Sequence, residues 1–122
     1  MKFSSIVVKG KGKGKTLGFP TANLKVSENF SLSYGVYAVK ALLNEKQYKG
    51  ALHFGPRFFY KEKEAVLEVH LLNFSEDIYG KKINVEVIAF LRDVKKFSSR
   101  LELKEQIQKD CLMVDKIIHD SV

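Results

Sequence analysis

A single cysteine, Cys111, excludes an internal disulfide and, with it, the stapled scaffold of a small secreted domain. No apolar run approaches the length of a membrane span, and Ile6-Val7-Val8 near the N-terminus is too short for the core of a signal peptide. No His, Cys or acidic group stands at zinc-like spacing from His70, which argues against a structural zinc site. With disulfides, zinc and membrane set aside, the 122 residues must hold together by ordinary apolar packing, for which they suffice as one domain. The expectation is a soluble, cytoplasmic, monomeric protein, residues 1–122 forming one unit.

What the chain does have is positive charge, 21 basic against 14 acidic residues, net +7. That balance favours anionic partners without choosing among them. Three of the lysines alternate with glycine in Gly10-Lys11-Gly12-Lys13-Gly14-Lys15. The run does not fit a P-loop, because the required first glycine falls on Lys9, and a Gly-x-Gly-x-x-Gly fingerprint places Lys15 or Leu17 at its last position. The physical content survives both failures. Glycines let backbone N–H groups approach an anion closely, and the lysines add charge, so Gly10, Gly12, Gly14, Lys15 and Gly18 are candidate phosphate-binding positions; the alternative is a solvated basic loop. Pro20-Thr21-Ala22-Asn23 follows at once. In extended backbone the Thr21 hydroxyl and Asn23 amide point to one side, where both can meet a hard cation carrying phosphate oxygens.

From residue 34 to 91 apolar and polar residues alternate, in runs at Tyr34–Leu43, Gln47–Phe54, Ala65–Leu72 and Ile83–Leu91. These predict strands, with Phe3–Lys9 another, and connections too short for crossover helices make the pairing antiparallel. Closure into a barrel, spanning about residues 3–97, removes the edges of so small a sheet. Lysines at 46, 49, 61, 63, 81 and 82 flank the turns and discourage edge-to-edge association. Past Phe97 the period changes. Ser99 and Glu102 form a capping-box pattern, and Leu103, Ile107, Cys111, Val114 and Ile118 then recur at helical spacing, predicting a helix over about 99–119 that lays one apolar stripe on the barrel. Cys111 reads as a small buried apolar group within that stripe.

In Leu67-Glu68-Val69-His70-Leu71 alternation puts Glu68 and His70 on the face opposite the leucines and valine. A carboxylate held rigidly in an apolar strand is a candidate general base for a hydroxyl; the competing reading is a solvent-facing or lysine-paired glutamate. His70 reads as a hydrogen-bonded or partly exposed histidine.

The ordered blocks LGFPTANL, Tyr34-Gly35-Val36-Tyr37-Ala38-Val39, Leu67-Glu68-Val69-His70-Leu71, Asp77-Ile78-Tyr79-Gly80-Lys81 and Phe90-Leu91-Arg92 with Lys96-Phe97, between a glycine-rich basic segment and a closing helix, resemble riboflavin kinases from about Gly10 to Asp110. The resemblance implies a mainly β fold, a six-stranded antiparallel Greek-key barrel with a C-terminal helix. It implies transfer of the γ-phosphoryl of ATP to the ribityl 5'-hydroxyl of riboflavin, giving FMN and ADP, with Mg²⁺ as the metal. Thr21 and Asn23 would then hold metal and nucleotide, the Gly10–Gly18 loop would cover the phosphates, and Glu68 would be the base. Arg92, in the segment after the last strand, would belong to a flap over the flavin. Many bacterial members read close to GVANIGTRPTF where this chain has Gly50-Ala51-Leu52-His53-Phe54-Gly55-Pro56-Arg57-Phe58-Phe59-Tyr60, a departure that bears on ligand contacts there. They often carry an N-terminal adenylyltransferase domain; the expectation here is a kinase domain without one, standing alone or cut from a larger enzyme. Two other readings of the basic barrel are a nucleic-acid-binding module and a flavin-binding domain without catalysis. Neither accounts as well for the Thr/Asn pair and the in-strand carboxylate, so no nucleic acid or membrane partner is expected.

Overall fold

In a computed structural model, residues 1–9, 19–57 and 64–118 are described. The expectations that fall on Gly10, Gly12, Gly14, Lys15 and Gly18, and on Lys61 and Lys63, lie outside them.

The alternating runs form the strands β1 (Lys2–Val8), β2 (Ala22–Leu24), β3 (Gly35–Leu43), β4 (Lys46–Gly55), β5 (Val66–Leu71) and β6 (Lys82–Arg92). They close into one antiparallel barrel in the order β1-β2-β5-β4-β3-β6. β3, β4 and β5 are successive hairpin-linked neighbours and β6 returns beside β3, which is a Greek key. The β3–β4 hairpin turns through Asn44 and Glu45, both at positive φ, the backbone hand that matches the twist of the flanking strands. Barrel closure sits on inward-facing aliphatics: Leu52, Leu67, Val69, Ile83 and Val85 are almost fully buried, each stabilising the fold by roughly 1.5–3 kcal/mol through removal from water.

The barrel's last strand ends at Arg92, short of the anticipated limit near residue 97, because the ladder to β3 finishes at the Val36–Arg92 pair. Arg92 is therefore the final residue of β6 and not part of the segment beyond it, a correction to its expected placement. α1 spans Arg100–Ile117. Ser99 is its N-cap, the hydroxyl accepting the Glu102 N–H at 3.1 Å, and the Glu102 carboxylate accepts from Ser98 Oγ at 2.9 Å. The anticipated stripe faces the sheet most completely at its C-terminal half, where Val114 and Ile118 are buried against Ala38, Ala51, Leu72, Ala89 and Leu91. These are outward-facing residues, and the three alanines among them let the helix approach closely. Cys111 is half-buried, and burial pushes its thiol up to about 11, the range of an unreactive thiol.

Candidate functional site

Cross-strand partners in a sheet present their side chains on the same face, and one row of partners crosses five strands here. Asn23 lies opposite Glu68, Glu68 opposite His53, His53 opposite Val36, and Val36 opposite Arg92. Their neighbours Leu24, Leu52, Leu67, Val69 and Tyr37 fill the interior. The polar row is thus on the outside of the barrel, next to the surface that α1 covers.

Thr21 and Asn23 flank Ala22, whose side chain turns in with its partner Val69. The Thr21 hydroxyl donates to Glu68 Oε2 at 3.2 Å. Hydroxyl, amide and carboxylate, read from two distant stretches of chain, therefore converge. Glu68 is 8 % exposed, too little for a carboxylate facing water. Its ionic partner is Arg57, whose Nη1 lies 3.1 Å from Oε2, rather than a lysine. His53 is the other neighbour. Its Nε2 lies 2.9 Å from the Gly55 carbonyl, which only accepts, so Nε2 carries the proton. Burial holds the imidazole below its ordinary value, with Glu68 opposing that shift and Arg92 and Arg57 adding to it.

Two supports hold these groups in place. His70 Nδ1 donates to the Pro20 carbonyl at 2.8 Å, and its ring meets Phe19 edge to face at 5.5 Å, which pins the segment entering β2. Arg92 forks onto Asp110 of α1, Nε to Oδ1 at 2.9 Å and Nη2 to Oδ2 at 2.7 Å, and donates from Nη1 to the Asp93 carbonyl at 3.0 Å. The same guanidinium stands over the Phe97 ring at 5.9 Å.

On the other side of Thr21 and Asn23 opens a cleft of about 410 Å³, walled by β1, β2 and residues 74–79, with Lys9, Asp77 and Tyr79 among its lining. Lys9 Nζ sits 5.4 Å from the centre of the Tyr79 ring, which is 56 % exposed. Glu68 does not line this cleft. Thr21 and Asn23 therefore stand between it and the carboxylate. Among the described residues no cluster of three His, Cys, Asp or Glu side chains could hold a resident metal.

Of the anticipated residues, the structure brings Thr21, Asn23 and Glu68 together and puts Arg92 farther along the same row. Arg57, His53, Lys9 and Tyr79 were not anticipated. His53 stands where the chain departs from the common pattern, and a ladder register for that stretch was the signal needed to find it; Arg57 coincides with the arginine of that pattern, which was a signal for it.

A small closed antiparallel barrel with a hydroxyl and an amide at the lip of a cleft, and a buried carboxylate bonded behind the hydroxyl, defines the class of small-ligand-binding barrel domains. The chain belongs to the riboflavin kinase, or flavokinase, family, whose model matches residues 1–118. It is 41 % identical over 116 residues to the bifunctional riboflavin kinase/FMN adenylyltransferase of Buchnera aphidicola subsp. Schizaphis graminum, covering 93 % of this chain and 37 % of that one. The protein of the same description from Bacillus subtilis is 40 % identical over 109 residues, covering 86 % and 34 %. This chain thus spans about a third of the length of these curated relatives. Among solved structures, a Streptococcus pneumoniae protein described as a macrolide-efflux protein superposes with a TM-score of 0.82 at 31 % identity, over 93 % of this chain and 38 % of that one. Riboflavin kinase from Trypanosoma brucei shares the fold, with a TM-score of 0.67 at 21 % identity over 98 % and 80 %. No helix among the described residues is long and apolar enough to cross a membrane.

Proposed function

We propose that this chain phosphorylates riboflavin, transferring the γ-phosphoryl of ATP to the ribityl 5'-hydroxyl to give FMN and ADP, as a monomer in the cytoplasm. The observation that carries the reading is the bond from Thr21 Oγ1 to Glu68 Oε2, with Asn23 opposite Glu68 in the ladder. Phosphoryl transfer asks a protein mainly for in-line positioning and for neutralisation of phosphate charge, and this site has a part for each.

The cleft beside Thr21 and Asn23 suits the nucleotide. Tyr79 offers an exposed aromatic face for a base and Lys9 a charge for phosphate, and Gly10, Gly12, Gly14, Lys15 and Gly18, which precede Thr21 in the sequence, are assigned to the nucleotide phosphates. Thr21 and Asn23 supply the hard oxygen donors that Mg²⁺ prefers when it arrives with a nucleotide. Thr21 gives its proton to Glu68, so its oxygen lone pairs are turned elsewhere and suit a cation. Bound there, the metal would neutralise charge on the phosphates. Glu68, beyond Thr21, accepts the proton of the attacking alcohol. The flavin is assigned to the outer face beyond Glu68. There Arg92, bonded to Asp110 and stacked on Phe97, fixes the wall after β6.

Incubation of the chain with riboflavin, ATP and Mg²⁺, followed by chromatography, is expected to yield FMN and ADP in equal amounts. Unchanged riboflavin would refute the reading.

A further inference from the structure

Two donors meet on one oxygen of Glu68. Thr21 Oγ1 and Arg57 Nη1 both donate to Oε2, at 3.2 and 3.1 Å. The Arg57 and Glu68 side chains are 10 % and 11 % exposed, so each charge would be costly to bury without the other. Arg57 is brought there by the end of β4. Gly55 stands at φ +138, a backbone conformation that side-chain-bearing residues rarely adopt, and a Cβ on it would come within 3.1 Å of Val94 and 3.2 Å of Tyr34. Pro56 follows. A straight continuation of β4 would carry residue 57 away from Glu68, which faces His53 four positions earlier. The bend instead lets the long side chain return to the carboxylate. Arg57 also interacts beyond this pair.

We propose that Arg57 is a positioning residue for the Glu68 base: together with Thr21 it holds Oε2, and so turns Oε1 toward the acceptor alcohol. This rests on the riboflavin kinase reading above. In the step concerned, the acceptor O–H bond breaks and its proton passes to Glu68 Oε1. The oxygen forms a bond to the γ-phosphorus, and the bond from that phosphorus to the bridging oxygen breaks, its electron pair leaving on ADP. Arg57 exchanges no proton. A carboxylate free to rotate would meet the alcohol in the right geometry less often, and misplacement on the scale of 1 Å can cost about 100-fold in rate. A guanidinium suits this work better than an ammonium, because its planar array of N–H groups can hold a carboxylate oxygen and other acceptors at fixed angles together.

The test is steady-state kinetics of the full chain with riboflavin and MgATP. Arg57→Met is expected to lower kcat by about 100-fold while both KM values stay within about threefold. Added guanidinium ion at millimolar concentration should restore part of the rate. In the Glu68→Gln background Arg57→Met should cost nothing more, since a residue acting through Glu68 has nothing left to position. The proposal is overturned by an unchanged kcat, by a raised KM for ATP with kcat retained, which would make Arg57 a phosphate contact, or by a further large loss in the double variant. Should Arg57→Met lose its folded circular-dichroism signature, Arg57→Lys carries the test. A kcat loss of about tenfold at unchanged KM supports the role, and wild-type kcat overturns it. A normal kcat in these variants removes this inference alone, whereas a wild-type chain that makes no FMN removes the kinase reading and this role with it. Melting temperatures of the two single variants and the double read the Arg57–Glu68 pair without turnover: a double-variant loss smaller than the sum supports the pairing, and strict additivity overturns it.

Discussion

Asn23 and Glu68 stand directly opposite each other in the β2–β5 ladder, so an amide and a carboxylate separated by about half of the barrel's sequence share one row on its outer face. Thr21, two residues before Asn23, reaches the same carboxylate through its hydroxyl. Because backbone pairing sets this arrangement, substitution of a single side chain should alter the chemistry and leave the barrel standing.

Glu68→Gln keeps the shape of the side chain and removes the basic oxygen. Turnover should fall by about 10²- to 10⁴-fold, the usual contribution of a general base, with a near-normal circular-dichroism spectrum. FMN formation at the wild-type rate would show that the proton goes elsewhere.

Thr21→Ala deletes both an oxygen donor for a cation and one of the two hydrogen bonds on Glu68 Oε2. The Mg²⁺ concentration for half-maximal rate should rise several-fold, and Thr21→Ser should bring it back. A magnesium titration identical to wild type in the alanine variant would exclude Thr21 as a ligand.

The Arg92–Asp110 fork ties the end of β6 to the middle of α1, with side chains only 16 % and 7 % exposed. Cutting one partner strands a buried charge, which costs about 3–5 kcal/mol. Arg92→Met should therefore lower Tm by about 10 °C or more. Asp115→Asn, which breaks an ion pair with Lys49 in which the aspartate is 63 % exposed, should change stability by no more than about 1 kcal/mol. Equal losses in thermal melts of the two variants would contradict the burial of the first pair.

His53 gives the fold an acid-sensitive point. Burial holds its imidazole below the ordinary 6.5, so the unfolded chain takes up a proton at a higher pH than the folded chain does. Stability linked to this group is complete above about pH 6.5 and declines as pH falls below it. His53→Gln, which retains an N–H for the Gly55 carbonyl, should flatten that part of the Tm-against-pH curve. Parallel curves for the two proteins between about pH 7.5 and 5 would rule this out.

Alternation over residues 34–91 made four strands legible from the sequence, Phe3–Lys9 read as another, and the Ser99/Glu102 pattern located the helix start. β2 shows no period because three residues are too few to display one; it exists because β1 and β5 offer it partners on both sides. Asp110 looks in isolation like a solvated helix acid. Its position three after Ile107 and four before Val114 puts it on the buried stripe, where an arginine delivered by β6, with the Gln106 amide beside it, makes it tolerable. Likewise Arg57 and Glu68 lie eleven residues apart with no local pattern joining them, and only the bend at Gly55 brings them within reach.

The narrowest member of the ring is also the one that carries Thr21's neighbour Asn23. β2 is held by two residue pairs to β1 and two to β5, whereas β3 and β4 share nine. The least tightly stitched seam of the cylinder thus coincides with the place where substrate would be gripped, and a nucleotide bridging that seam would act as a clasp. Amide hydrogens of Ala22–Leu24 should accordingly be the first in the sheet to exchange with deuterium, and the ones most slowed when MgATP is added.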